Sequence, residues 1–357
     1  MTRGLVVSVV AAVGLVAVGC QREAPVAQAT RAVIVPVTPT SARGFVDALA
    51  LSPDGTLAAI GERRGAIQIW STAPEVAPVA LGDYRQSIVD LAFAPSGRLL
   101  ASLGRHEESA LRLWEPDARG GWREAATLPV ERCLALRFDG SGGRLAVLGE
   151  RDVRVLDAAP LRESRRIANV HPEPLTAVDL SADGKRVVVA RHDGDVTVWD
   201  VATGAPVRSL SLGRSRRPGP LPPGLGPPEV WAVVVALSPD GARAAVVTIE
   251  GTVYVWDVAS GTMLFDHADP EAGGPPAGSL RFLRDGSLLA PTGDRFGMRR
   301  IDVGRKSSAV IAGAHRAFAT VAITADATAF ATLSSTLAAK GLLYDVEIWR
   351  LPPPLRP

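Results

Sequence analysis

Residues 196–204 read VTVWDVATG and residues 253–261 read VYVWDVASG, fifty-seven positions apart. Near-identity within one chain constrains the fold strongly, because such a chain stacks repeated units that bury their apolar faces against one another. Seven copies of one pattern align. Their first strands and turns read LALSPDG (49–55), LAFAPSG (91–97), LRFDGSG (136–142), VDLSADG (178–184), VALSPDG (235–241), LRFLRDG (280–286) and VAITADA (321–327). The gaps between the last turn residues are 42, 45, 42, 57, 45 and 41. All but one lie near the length of a four-stranded propeller blade, about 40–45 residues.

A third strand closes each unit: IQIW, LRLW, VRVLD, VTVWD, VYVWD, MRRID and VEIW. Turn glycine and closing residue lie 15 positions apart for Trp70, Trp199, Trp256 and Ile301. The distance is 17 for Trp114, 14 for Leu156 and, from Ala327, 22 for Trp349, where SSTLAAKG is inserted. Alternation with period two describes half-buried strands, and Asp-Gly supplies the positive φ of tight hairpins. The expected fold class is all-β: a seven-bladed β-propeller of four-stranded antiparallel blades over residues 32–351. The last repeat has no fourth strand after Trp349, only RLPPPLRP, so residues 352–357 are read as a Pro-rich tail. RAVIVPV (31–37) precedes the first repeat and belongs to none. Ala32–Val37 is therefore expected to complete the last blade and remove its open edge.

The start of the chain follows a different logic. MTRG carries one arginine, residues 4–19 are uncharged, and Cys20 follows. That run is about 24 Å long as a helix, short of a bilayer core of about 30 Å. A charged start, an apolar middle and a small-residue exit describe an export signal. AVGC (17–20) resembles the lipobox of bacterial lipoproteins, with Ala17 where leucine is usual. The expectation is a signal peptide at 1–19 and a lipidated Cys20, palmitate-bearing, heading a flexible linker at 20–31. Cleavage after Ala29 is the alternative. Cys133 then has no disulfide partner, and its apolar setting CLALRF reads as a small buried residue.

SPDG, a strand, a short turn, hydrophobic-x-hydrophobic-Trp-Asp and a Thr-Gly or Ser-Gly turn together resemble the WD-repeat β-propeller family, over nearly all of residues 32–351. The closing pair is Trp-Asp only at Trp199-Asp200 and Trp256-Asp257. The family's buried His, Ser or Thr, Asp and Trp network is mostly missing. His171, Asp193 and Trp199 offer three members in the fourth blade, but its second strand VVVAR has no hydroxyl. The resemblance thus implies a divergent member held together by apolar packing between blades.

Apolar residues make up 47% of the chain and charged residues 21%, enough for a large core. A formal charge of +2 argues against nucleic acid as a partner, which needs a concentrated basic face. There is no GxSxG, HExxH, GxxxxGK or CxxC. His106, His171, His192, His267 and His315 are scattered over different repeats or their junctions, so no imidazole cluster is formed. His171 and His315 precede first strands, where the family's structural histidine lies. No cofactor and no metal are expected.

Propeller chemistry is sited in the central channel, so the residues facing it are the ones to test. The pleat directs Ala50, Ala92, Arg137, Asp179, Ala236, Arg281 and Ala322 inward, with Ala48, Asp90, Ala135, Ala177, Val234, Ser279 and Thr320 two positions earlier. Polar candidates are thus Asp90, Arg137, Asp179 and Arg281. Arg137 and Asp179 are expected to pair, and Arg281 is a candidate anion contact. Two Pro-rich insertions, GRSRRPGPLPPGLGPPE (213–229) and ADPEAGGPPAG (268–278), extend neighbouring junctions. Such segments stay extended and serve as spacers or docking strands. Candidate partner contacts are Arg214, Arg216, Arg217, Pro222, Pro223, Pro275 and Pro276. The functional expectation is a non-enzymatic, membrane-tethered, extracytoplasmic protein-binding or scaffold module of a bacterial envelope. An extracytoplasmic propeller enzyme of lactonase or hydrolase type and an envelope-assembly accessory lipoprotein are the alternatives.

Overall fold

A computed structural model describes residues 29–37, 45–73, 76–82, 84, 87–104, 110–168, 173–212, 232–249, 251–267, 279–292, 297–313, 318–324, 328–338 and 341–351. Every element among them is a strand, and the strands form seven four-stranded antiparallel sheets. Blades 1 to 6 are continuous, over residues 46–80, 88–129, 133–168, 175–210, 232–267 and 281–313. Blade 7 combines Phe318–Ile323, Ala329–Ala338 and Gly341–Arg350 with the strand Thr30–Val37, which lies outermost. Thr30 pairs with Arg350 and Val37 with Tyr344, so the start of the ring closes on its end.

In blades 1, 4 and 5 the first and second strands are joined by a turn built by local chemistry. In blade 5 the Ser238 hydroxyl donates to Asp240 Oδ1 at 2.6 Å and accepts from the Arg243 N–H at 2.8 Å. Asp240 Oδ1 also accepts from the Ala242 N–H at 2.9 Å. Gly241 sits at φ +67°, a conformation that costs glycine little. Ser52-Asp54 and Ser181-Asp183 repeat the Ser–Asp bond. At the other turn of the same edge, Asp200 accepts from the N–H and hydroxyl of Thr203, and Asp257 does so from Ser260.

Seven apolar clusters lie between the blades, one at each junction. Between blades 3 and 4, Leu148, Val153 and Val155 pack on Leu175, Val178, Val187 and Val189. Burying each such side chain contributes about 1.5–3 kcal/mol, so these junctions hold the ring.

Antiparallel order fixes two faces. Turns joining first to second and third to fourth strands share one face, here the turn face. Loops joining second to third strands, and the connections between blades, share the opposite loop face.

Candidate functional site

The central channel encloses a cavity of about 280 Å³. The inner-strand residues picked out by the pleat line it, with the exception of Ala236, which is fully buried. Asp90, Arg137, Asp179 and Arg281 all face this space, from blades 2, 3, 4 and 6.

Their pairing differs from the expected one. Arg137 Nη1 donates to Asp90 Oδ2 at 2.7 Å, not to Asp179. Both aspartates reach forward to the next blade. Asp90 Oδ2 accepts the Leu136 N–H of blade 3, and Asp179 Oδ2 accepts the Leu237 N–H of blade 5, each at 2.9 Å. Asp179 is thereby turned toward blade 5, leaving Arg137 to the carboxylate behind it. Burial pushes the Asp179 carboxyl above its ordinary range, against the opposing pull of Arg281, the Leu237 N–H and Arg137. Burial also opposes the charge on Arg137, but Asp90 and Asp179 outweigh it and hold the guanidinium protonated. Among the described residues, no group of three or more His, Cys, Asp and Glu side chains is placed to hold a metal ion.

A polar network unforeseen from the sequence occupies blade 2. Ser102, fully buried, takes a hydrogen bond from Trp114 Nε1 at 2.7 Å and bonds the Tyr84 hydroxyl at 2.7 Å. The Arg112 guanidinium lies over the Tyr84 ring, 4.2 Å from its centroid. Tyr84 stands before the first strand of the blade, where the WD-repeat pattern has histidine. A search for histidine therefore passes over it, and the signal was Ser102 placed inside an apolar second strand. Blade 7 keeps a shorter version, Trp349 Nε1 to Thr332 Oγ1 at 3.3 Å.

Apolar packing is also supplemented by a set of arginines on the turn face. Arg144, Arg186 and Arg243 donate through Nη1 to the carbonyls of Gly184, Gly241 and Gly286 in the following blade. Arg165 and Arg208, on outer strands, donate to Val201 and Ala202 and to Val258 and Ala259. Charged donors to carbonyls outlast neutral ones in strength, and here each joins two blades.

The loop face is built differently. Phe45 is 43% exposed with the Arg63 guanidinium stacked 4.7 Å from its ring centroid, and Arg63 also pairs with Asp47. Leu343 is 51% exposed on the blade 7 hairpin. Its neighbour Tyr344 accepts the Val46 N–H at its hydroxyl and packs into the junction of blades 7 and 1, so strand alternation turns Leu343 to the other side of its blade. That hairpin is the SSTLAAKG insertion. Its pairing continues from Ser335–Tyr344 to Ala338–Gly341, past the end of the strand Phe318–Ile323, which stops opposite Ser334.

Cys133 is buried, and burial pushes its thiol up to about 11. His267 stacks on Phe265 and lies 3.4 Å from the Ser308 hydroxyl. Cys20, Arg214, Arg216, Arg217, Pro222, Pro223, Pro275 and Pro276 lie outside the described residues, as do His106, His171 and His315.

Residues 163–200 match the family described as WD domain, G-beta repeat. The match begins in the outer strand of blade 3, Leu161–Ala168, and ends on Asp200 at the close of the third strand of blade 4. Sequence repeat and blade are thus offset by one strand, and the N-terminal strand absorbs that offset at the closure. WD repeat-containing protein 90 of Homo sapiens is 30% identical over 256 residues, covering 67% of this chain and 13% of that protein. An uncharacterized WD repeat-containing protein of Deinococcus radiodurans is 28% identical over 248 residues, covering 68% of this chain and 79% of that protein. WD repeat-containing protein 1 of Gallus gallus is 22% identical over 223 residues, covering 60% of this chain and 33% of that protein. The chain is thus a seven-bladed β-propeller of four-stranded antiparallel blades that carries a matched WD repeat at 163–200 and is similar to WD repeat-containing proteins over about two thirds of its length.

Proposed function

We propose that this protein is a bacterial envelope scaffold that binds another protein, exported and held at a membrane by lipid on Cys20. A WD-repeat propeller fits a protein-interaction scaffold in general. The observation that carries the reading is the different use of the two faces. On the turn face the arginines are spent on carbonyls of neighbouring blades. On the loop face the Phe45 ring and the Arg63 guanidinium stacked on it stand exposed, aromatic rings and arginine being enriched at interfaces, and Leu343 is exposed on blade 7.

Chain direction supports the tether. Thr30 lies opposite Arg350, at the turn-face end of its strand, and Val37 at the loop-face end. A lipid on Cys20 is joined to Ala32 by twelve residues, at most about 40 Å extended. It therefore draws the turn face toward the membrane and leaves the loop face for a partner. The channel charges are bonded across blades, which favours binding over catalysis.

The test is metabolic labelling with an alkyne-tagged palmitate, together with crosslinking from Phe45 or Leu343 replaced by a photoreactive residue. The expected result is lipid on the wild type, none on Cys20→Ser, and one discrete crosslinked protein. Membrane retention of Cys20→Ser with no label on the wild type overturns the tether, and crosslinks from turn-face sites alone overturn the docking face.

A further inference from the structure

Five charged side chains line the channel; Asp47 is already paired with Arg63, and the arrangement of the other four selects a ligand. Arg137, Asp179 and Arg281 project from equivalent inner-strand positions of blades 3, 4 and 6, with Asp90 one tier away on blade 2. Asp90 is used up by three donors: the N–H groups of Leu91 and Leu136 and the guanidinium of Arg137. Arg137 spends only Nη1, on Asp90 and on the Leu136 carbonyl, and its side chain remains 31% exposed to the channel. Nε and Nη2 remain as donors toward the channel. Asp179 accepts the Leu237 N–H at Oδ2 and also the Leu180 N–H, and lies within the fields of both Arg137 and Arg281.

With Asp47 neutralised by Arg63, the two remaining carboxylates and two guanidiniums sum to zero. A simple anion or a simple cation entering this space meets as much repulsion as attraction. A molecule carrying both charges a few ångströms apart meets a partner for each. The remaining wall is small and apolar, chiefly Ala48, Ala50, Ala92, Ala135 and Ala177. About 280 Å³ is below the range of drug-sized pockets and suits a compact ligand.

We propose that the channel is a binding site for a small zwitterion of the α-amino acid class, its carboxylate on Arg137 and its ammonium on Asp179. The Arg281 charge acts on Asp179 and opposes its protonation. The proposal is independent of the lipid tether and of the docking face.

The experiment is calorimetric titration of the purified full chain with the proteinogenic α-amino acids, and with propionate and ethylamine as the two halves of alanine. Binding of at least one small amino acid is expected, with propionate and ethylamine at least about tenfold weaker. Asp179→Asn keeps an acceptor for the Leu237 N–H and should lose at least about tenfold in affinity with its melting temperature little changed. Arg137→Met should lose as much, and its fold is checked by circular dichroism. No binding by any amino acid, binding of propionate as tight as alanine, or undiminished binding by a folded Asp179→Asn each overturns the proposal.

Discussion

Arg186 in blade 4 donates through Nη1 to the carbonyl oxygen of Gly241 in the first turn of blade 5, at 2.8 Å. The Cδ of the same side chain lies only 2.9 Å from where a β-carbon on Gly241 would stand. Glycine at this turn therefore serves two ends, the positive φ and the close approach of the neighbouring blade's arginine.

Arg186→Met should cost about 1–2 kcal/mol, the range for a hydrogen bond from a charged group that is partly exposed. Gly241→Ala should cost at least as much, because φ +67° and the Arg186 contact both oppose a side chain. Urea denaturation measures both. Their double variant should fall short of additivity, since each removes the same contact.

Closure depends on the strand Thr30–Val37. Val35 and Val37 are buried between blades 7 and 1. Val37→Asp should lower stability by about 3 kcal/mol or more, and deletion of 30–37 should also expose Gly341–Arg350 as an edge. Thermal melting and light scattering report the two effects. An unchanged melting temperature for the deletion would mean that the ring does not need its seventh outer strand.

Ser102→Ala should cost about 1–3 kcal/mol, because Trp114 Nε1 is left buried without its acceptor. Tyr84→Phe should cost less, since Ser102 retains Trp114. If the two substitutions prove equal, Tyr84 and not Ser102 is the centre of this network.

Acid should weaken the turns. The Ser238 hydroxyl, followed by the Ala242 N–H, holds the Asp240 carboxyl below its ordinary 3.8. A native value lower than the unfolded one means stability that is present above 3.8 and is lost as pH falls through the native value. Asp240 is partly solvated, so the effect is a few tenths of a kcal/mol to about 1 kcal/mol after screening. Asp240→Asn should therefore be less stable than wild type at neutral pH, with the difference closing near pH 2. Paired urea melts at the two pH values decide it.

Cys133 should be silent to thiol reagents. With its thiol pushed up to about 11 and its side chain buried, negligible thiolate reaches solvent near pH 8. Disulfide-exchange reagents should label it in denaturant and not in the folded protein. Rapid native labelling would show that the junction of blades 2 and 3 opens.

Much of the architecture was legible in the sequence because its signals are local. Strand alternation, the Ser-Pro-Asp-Gly turns and the lone segment before the first repeat each act within a few residues, and together they counted the blades and located the closure. Tyr84 escaped because it lies in a connection with no periodic pattern. The arginines of the turn face escaped because, in sequence, each looks like any solvated residue.

Pattern within each repeat, then, determined seven blades, their antiparallel hairpins and the inward tier of the channel, since period-two alternation assigns faces without reference to distant residues. Only the tertiary structure decided which charge meets which. Arg137 lies 47 residues from Asp90, and Arg208 lies 51 from Ala259. Their meeting depends on how each twisted blade leans on the next, and that lean is set by the apolar clusters between blades. No spacing along the chain encodes it.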